Sequence, residues 1–597
     1  MRIDQRGVKL PLTPDQRFFA SCWFNMVHQH SLDSHRVRTM NPRNILRELL
    51  RLYELPHANE EDRLMVCKEA LLVLPIDPVL NQPETAKVAA TLLDLLKSDT
   101  KGNRQNEGLL RHVARELLER VESCYVDRAL SQLADVLLAD PPAGDPLARR
   151  GQIAQLTCGL LSTLLDAGAS LESLYQLYRQ ILVPPFETQS YVFGRKLGLL
   201  SAILRQEARE YRVLFSIDNV TDVGDFPATM GGITFSPTAP HWRADGSSSV
   251  VAYLAPHSRR LFAEFTTKTR DIRAAGTEAY TKISNLLDLA RFEYERERVQ
   301  LAEEYLVVAS DRPERIGRYP ITKVVPNPAG IGGINDLQAF VSSVNELLSS
   351  DKFLQEGRDR LISAFRLYRL GADTNSFENK LANWWTAIEF LVRGLKGGKQ
   401  IGSAVEHNVT PVLCLAYPGT LLVDIRQTLV KLGTALTDPS TNTPIDLRAL
   451  PPLGLSLLLS RADIRPLVDD ALASEPYLQY KIGRILDTIA DPVQYLQLLK
   501  AHEQRVRWQI QRLWRARCDI VHSARRPVSD ILLCANLEFY LKVTLMSLLA
   551  DLRRIKTLSS PEEFFERKIY TYNKLTVDLE KNSTTVFREV VAAESLG

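Results

Sequence analysis

The sequence predicts a mainly α-helical protein with one small α+β domain in its middle, and two observations support this. Over most of the 597 residues, apolar side chains recur every three or four positions, which places them on one face of a helix. Between about 211 and 335, short runs of β-branched and aromatic residues replace that pattern and are typical of strands. Several domains are expected, because single cores stop growing at roughly 250 to 300 residues.

An N-terminal multi-helical domain is predicted for residues 1–210. Prolines divide it into separate helical stretches. A helix usually ends before a proline, because the preceding residue is disfavoured in the helical conformation. The clearest breaks fall at Pro56, Pro78 and Pro141. Stacked helical hairpins are compatible with this pattern, although no fixed-period repeat points to a solenoid family.

The small α+β domain is predicted for residues 211–335, with its last segment acting as a linker. Three runs are predicted as strands, at 212–217, 232–236 and 250–255. A long amphipathic helix is predicted from about Asp271 to Gln300, and a further strand from Tyr305 to Ala309. A cluster of Pro and Gly at 326–333 ends the domain.

A C-terminal helical bundle is predicted for residues 336–597, with looser helices inserted at about 396–500 and a C-terminal tail. Its strongest helices, each with apolar residues at helical spacing, are predicted at 377–395, 502–521 and 528–552. The stretch Ile531–Ala550 is about long enough to cross a bilayer. Its polar residues Asn536, Glu538 and Lys542 favour a buried core helix instead.

Composition and charge indicate an ordinary globular protein of the cytoplasm. The net charge of +3 gives no global attraction to nucleic acid, so such a contact requires a local basic surface. The seven cysteines include no C-x-x-C pair, which argues against a zinc ribbon and a disulfide framework. The N-terminal residues lack the apolar core of a signal peptide. We therefore expect no secretion and no membrane attachment.

Metal and cofactor chemistry is not indicated by any motif. The sequence contains no P-loop, no G-x-S-x-G and no H-E-x-x-H. His28, His30 and His35 lie close together in the sequence, but they lack acidic or cysteine partners at a fixed spacing. We interpret them as a polar helix end and expect neither a metal nor a cofactor.

A local basic segment lies at 501–530, which contains seven arginines but only three acidic residues. One of them, Arg517, falls in the middle of the apolar stripe of the 502–521 helix. Because an unpaired buried charge is costly, Arg517 must meet a carboxylate or open into a cleft. Glu389 and Glu538 are the candidate partners. A solvated basic helix face is the simpler alternative for the segment as a whole.

The same segment carries the motif Trp514-Arg-Ala-Arg517-Cys-Asp-Ile-Val-His522. It resembles the R-x4-6-H signature of HEPN domains and is similar to the Apea-like group of prokaryotic defence proteins. In that group an aromatic residue stands three positions before the arginine, as Trp514 does. An earlier helix of the form aromatic-x-x-Ile-Glu-x-Leu is matched here by Trp385, Ile388, Glu389 and Leu391. The resemblance covers roughly residues 340–555.

The resemblance implies a metal-independent RNA endonuclease in bacterial antiphage defence. His522 would act as a general acid or base, and Arg517 would stabilise the charge that develops on the phosphate. Glu389, Cys518 and Arg515 would support the site, while Arg512, Arg525 and Arg526 would contact phosphates of the RNA. HEPN nucleases usually pair two domains, so a homodimer or a larger homo-oligomer with a composite site is expected. The N-terminal helices and the α+β domain would sense a phage-derived trigger or hold the nuclease inactive.

Several alternatives remain open at this point. In an unbroken helix Arg517 and His522 point about 140° apart, whereas Arg515 shares the His522 side. The helix therefore unwinds at Val521, or Arg515 is the working arginine. Cys518 stands where the family often has Asn or Ser. A second match, Arg51 with His57, is interrupted by Pro56.

Two other kinds of function are compatible with the same sequence. One is a non-catalytic HEPN scaffold that binds RNA, a nucleotide or a protein through the basic cleft. The other is a protein-interaction platform formed by the N-terminal half, with the C-terminal domain serving to dimerise it.

Overall fold

The structure is a computed structural model. It describes residues 1–4, 10–34, 40–54, 59–100, 106–139, 145–184, 191–220, 223–224, 226–239, 241–242, 248–293, 299–321, 337–349, 352–374, 376–395, 400–523 and 530–581. The predicted linker cluster at 326–333 and the tail beyond 581 lie outside these residues.

The N-terminal region is all helical, as predicted. Its helices are α1 (Pro14–Val27), α2 (Pro42–Glu54), α3 (Glu60–Val73), α4 (Ala86–Asp99), α5 (Glu107–Leu138), α6 (Pro146–Asp166), α7 (Leu171–Leu177), which continues into a π-helical turn (Tyr178–Leu182), and α8 (Phe193–Leu204). Several begin at a side chain that caps the free backbone N–H groups of the first turn, such as Thr13, Asn59 and Asp145. Local sequence therefore sets where these helices begin.

The middle region is the predicted α+β domain. Its elements are β1 (Arg209–Asp218), β2 (Thr229–Met230), β3 (Ile233–Ser236), α9 (Ser248–Tyr253), β4 (Arg260–Thr269), α10 (Ile272–Glu293), β5 (Gln300–Ala309) and β6 (Gly317–Pro320). The antiparallel sheet has the strand order β2-β3-β4-β1-β5-β6. In its centre, Val213 lies opposite Phe265 of β4 and Val307 of β5. The helix α10 covers one face of the sheet.

One predicted strand is wrong, because residues 250–255 begin in the helix α9 and not in the sheet. Val250 and Tyr253, three residues apart, are buried, whereas Val251 is exposed. Burial at helical spacing thus overrides the β preference of these residues. The strands β2, β4 and β6 of this sheet were not predicted. Of these, β4 lies between two other strands and buries consecutive residues instead of alternate ones.

The C-terminal region contains the three strong helices that the sequence predicts. Its elements are α11 (Leu337–Ser349), α12 (Gln355–Asp373), α13 (Phe377–Val392), α14 (Ile401–Leu432), β7 (Leu436–Asp438), β8 (Thr443–Ile445), α15 (Pro452–Leu459), α16 (Arg465–Ala471), α17 (Pro476–Ala490), α18 (Pro492–Ser523), α19 (Asp530–Arg554) and α20 (Pro561–Glu580). The helix α18 begins at Pro492, well before the predicted start at about 502.

Two hydrophobic cores divide the helical part of the chain. The first contains the N-terminal helices together with buried residues between Cys414 and Leu499, Trp508 of α18 and the end of α20. The second contains α11 to α13, the first half of α14, the second half of α18, α19 and the start of α20. Residues 400–500 are therefore not a loose insertion in the C-terminal bundle, because most of their buried apolar side chains belong to the core of the N-terminal region.

Two helices are long and apolar enough to cross a membrane by length and composition alone. They are α14 and the Leu533–Arg554 part of α19. In each of them, 78% of the most apolar window is buried inside the fold. Their apolar side chains thus serve the two cores, as expected for Ile531–Ala550.

Because of this shared core, we expect residues 336–597 to be insoluble when produced alone. Removing the N-terminal helices uncovers side chains such as Tyr477, which packs against Phe18 with 5.4 Å between ring centroids. Each large apolar side chain contributes roughly 1.5–3 kcal/mol when buried, so a few of them outweigh a domain stability of about 5–15 kcal/mol.

The measurement is the soluble yield of the fragment and its thermal unfolding curve. Residues 205–321 serve as the control, because the sheet and α10 form cores from their own residues and should fold alone. A soluble 336–597 fragment that unfolds cooperatively would contradict the expectation.

Candidate functional site

The candidate site forms where α13 packs against α18. Trp385 is fully buried, and its ring lies 5.8 Å from the ring of Trp514. Its Nε1 donates a hydrogen bond of 2.6 Å to Oε1 of Glu389. The pair of tryptophans thus brings Glu389 of α13 to the side of α18 that carries Arg517.

Arg517 lies between a carboxylate and an aromatic ring. Its Nη2 is 3.9 Å from Oε1 of Glu389, and its Cζ is 5.5 Å from the centre of the Trp514 ring. A guanidinium over a tryptophan face is attracted by the electron-rich ring. With 22% of its side chain exposed, Arg517 remains open to solvent. The structure therefore resolves the choice of partner in favour of Glu389.

The other candidate partner, Glu538, is engaged elsewhere. It lies 2.7 Å from Nζ of Lys542 and accepts a hydrogen bond of 2.9 Å from Tyr368. Both partners belong to the α12–α19 side of the bundle. Glu538 is therefore not part of the candidate site.

Cys518, which follows the candidate arginine, is partly buried beside it. Burial raises the pKa of the Cys518 thiol, while the charge of Arg517 and a hydrogen bond with it oppose that rise. The position that often holds Asn or Ser in HEPN domains thus still touches the arginine here, through sulfur.

The start of α14 closes the site from a third side. A Cβ atom at Gly402 would lie 2.7 Å from Cγ of Trp514, which is closer than van der Waals contact permits. A larger residue at this position would push the Trp514 ring away. We conclude that the close approach of α14 holds the ring on which Arg517 rests.

His522 lies in the last turn of α18, and its side chain is outside the described residues. The helix continues unbroken to Ser523, so the proposed unwinding at Val521 does not occur. At about 100° per residue, positions 517 and 522 lie about 140° apart around the helix. In this last turn Ile520 still packs against the second core, whereas 51% of Val521 is exposed.

Arg512 and Arg515 are held by three acidic residues of α2 and α3, which we call the carboxylate clamp: Glu48, Asp62 and Glu69. Arg512 donates hydrogen bonds of 3.0 and 2.8 Å to Oε2 of Glu48, and it also contacts Glu69. Arg515 contacts Glu48 and lies 3.4 Å from Asp62. Arg512 is nearly enclosed, with 9% of its side chain exposed, whereas Arg515 is partly exposed at 19%.

The clamp also changes the acid strength of its own members. Although burial alone would raise the pKa of Glu48, the charges of Arg512 and Arg515 lower it. For Glu69 burial prevails and raises the pKa, despite the nearby charge of Arg512. These shifts reflect carboxylates that have exchanged water for guanidinium groups.

Two of the remaining arginines of the predicted basic segment differ in exposure, since Arg507 is partly buried and Arg505 is exposed. Arg507 bonds Glu406 and Glu503, each at 2.8 Å, and Arg505 donates to the carbonyl of Ala501. Arg525 and Arg526 lie outside the described residues. Distant carboxylates thus balance part of the local surplus of arginine, at Arg507, Arg512 and Arg515.

The second sequence match, Arg51 with His57, does not form a separate site in the described residues. Arg51 pairs with Asp519 of α18 at 2.9 Å, while His57 lies outside the residues that the structure describes. Arg51 therefore belongs to the same junction as the clamp.

Sequence reasoning missed the clamp, although one signal pointed to it. Glu69 lies on the buried face of α3 beside Met65, Val66 and Ala70. An acid in an apolar stripe requires a partner for the same reason as Arg517 does. The sequence could therefore have predicted that Glu69 meets a basic residue, although not that this residue is Arg512.

No family model, no curated protein and no solved structure matches the chain. Among the described residues, no three His, Cys, Asp or Glu side chains are placed to share a metal ion.

Proposed function

We propose that this protein is a metal-independent RNA endonuclease whose site contains Arg517 and His522. The observation that carries the proposal is the setting of Arg517, which rests on Trp514 and Glu389 and remains partly open. A guanidinium that is held but not enclosed can bind a phosphate bidentately and stays charged at every relevant pH. The resemblance to HEPN domains supplies the reaction class.

The proposed reaction proceeds through the RNA 2'-hydroxyl. Its oxygen attacks the adjacent phosphorus, and the bond to the 5'-oxygen of the next nucleotide breaks. His522 takes the proton from the 2'-hydroxyl or gives one to the leaving oxygen. Arg517 stabilises the negative charge that develops on the phosphate. The products carry a 2',3'-cyclic phosphate and a 5'-hydroxyl.

A site shared between two chains is part of the proposal. Positions 517 and 522 lie about 140° apart on one helix, so one chain does not direct both to the same side. A homodimer, or a larger homo-oligomer, would set Arg517 of one copy beside His522 of another. Cytoplasmic antiphage defence and a phage-derived trigger are proposed from the family resemblance alone.

Incubation of the full-length protein with total RNA in EDTA tests the function. We expect cleavage without added metal, with products that end in cyclic phosphate and 5'-hydroxyl groups. A model oligonucleotide with a single 2'-deoxy nucleotide at the mapped cleavage site is the matched control, because it lacks the attacking oxygen and should stay intact.

Intact RNA in the presence of tight binding would overturn the endonuclease and favour the non-catalytic scaffold. The unbroken α18 helix supports the scaffold, since it separates the two motif positions within a chain. Cleavage of the 2'-deoxy control would show a different chemistry.

A further inference from the structure

The junction between the N-terminal helices and α18 is made of charged side chains. Five of them form the clamp and its two arginines, and Arg51 with Asp519 continues the contact toward the end of α18. Arg512 and Glu69 are nearly enclosed, with 9% and 7% of their side chains exposed. The junction therefore encloses the charge of Arg512 and pairs that of Arg515 with carboxylates.

The two arginines bind the carboxylates of the clamp as arginines bind phosphates. A guanidinium binds a carboxylate and a phosphate with the same planar arrangement of N–H donors. One donor, Nη1 of Arg512, is buried and has no hydrogen-bond partner within the described residues. The arginines thus retain unused capacity for an anionic ligand.

The junction is also built so that it can separate. The buried apolar side chains of α2 and α3 belong to the first core. The helix α18 contributes to the first core as far as Trp508, but Ile510, Leu513 and Ala516, which flank the two clamped arginines, belong to the second. Separating them locally exposes charged groups, which water solvates well. Buried ion pairs contribute little net stability because desolvation offsets their attraction. They are better suited to a contact that opens than to one that holds a core together.

We propose that the carboxylate clamp occupies the Arg512–Arg515 face of α18 in place of the RNA backbone and so keeps RNA out until α2 and α3 separate from α18. The inference rests on the proposed endonuclease function and adds a regulation to it. Position 522 lies on the same side of α18 as Arg515 and Asp519, at about 100° per residue. Opening the clamp therefore uncovers the side of the helix on which the motif histidine is placed.

The first test removes the negative charge of the clamp while keeping its shape. The variant Glu48→Gln with Glu69→Gln is compared with wild type by fluorescence anisotropy on a labelled single-stranded RNA in EDTA. We expect about tenfold tighter binding and a steeper salt dependence, by about 1.4 in log K against log salt, because two more arginines meet phosphates at about 0.7 each.

Two controls separate this from a general change of charge. Glu122→Gln removes a carboxylate that pairs with Arg43 and Arg47 inside the N-terminal region, and it should leave RNA affinity unchanged. Adding Arg512→Gln and Arg515→Gln to the double variant should abolish the gain. An equal gain in Glu122→Gln, or a gain that survives loss of both arginines, would overturn the proposal.

A second set of variants covers the case in which the clamp variant fails to fold. Arg51 and Asp519 are partly exposed, at 38% and 31%, so their substitution spares the cores. Arg51→Asp faces Asp519 with a like charge and should open the junction. We expect tighter RNA binding although the protein becomes more negative, and return to wild-type affinity in Arg51→Asp with Asp519→Arg. Weaker binding by Arg51→Asp, as simple charge attraction predicts, would contradict the clamp.

Hydrogen exchange of α2 and α3 makes failure of the clamp distinguishable from failure of the endonuclease. Faster exchange with tighter RNA binding but no cleavage in any variant would contradict the proposed endonuclease function and support the clamp. Cleavage by the wild type, with no gain of RNA affinity in the variants despite faster exchange, would contradict the clamp and support the endonuclease function.

Discussion

Replacement of His522 by alanine is expected to lower RNA cleavage by about 100-fold or more, since a positioned acid or base usually contributes that much. RNA affinity should remain nearly unchanged, because the imidazole acts on the reacting proton and not on the bulk of the backbone. Single-turnover cleavage rates and anisotropy titrations on the same RNA measure the two effects separately.

A histidine on the same helix provides the matched control for this experiment. His502 stacks on Tyr417 with 3.9 Å between the ring centroids, and it lies about 30 Å from position 522 at 1.5 Å per residue. His502→Ala should keep its cleavage rate. Full activity in a folded His522→Ala protein would instead show that the motif histidine does no chemistry, and the scaffold function would then be preferred.

Replacement of Arg517 by alanine is expected to abolish cleavage, because the phosphate loses the charge that stabilises its transition state. The cost in stability should be small, about 1 kcal/mol or less, since the contact with Glu389 is long at 3.9 Å and partly exposed. Glu389 also keeps its hydrogen bond from Trp385. Melting temperature measured beside the cleavage rate separates loss of chemistry from loss of fold.

Arg517→Lys and mixed oligomers sharpen this prediction. Lysine keeps the charge but lacks the planar pair of donors, so activity should fall well below wild type. In a shared site, co-expressed Arg517→Ala and His522→Ala chains should recover on the order of a quarter of wild-type activity, because half of randomly formed dimers contain one intact pair. No recovery would mean that the two residues act within one chain.

Helical periodicity by itself determined much of the C-terminal site. The apolar spacing of α13 and α18 is a local property, since residues three and four apart lie on one face whatever the rest of the chain does. The same reasoning identified Arg517 as a charge in an apolar seam and offered Glu389 and Glu538 as candidate partners, because a buried charge requires a counter-charge in any fold. The mainly helical class with an α+β middle domain followed from the same periodicities.

Only the tertiary structure decided which face of α18 is open. Within residues 501–530 the arginines outnumber the acids, but Glu48 and Glu69 stand 464 and 443 residues away from Arg512 along the chain. A count of charges in a sequence window contains no information on such partners. Likewise, buried residues between Cys414 and Leu499 belong to the N-terminal core because they pack against α1 and its neighbours. That packing is a property of the tertiary structure. Periodicity states that a face will be buried, and the packing of distant segments determines what buries it.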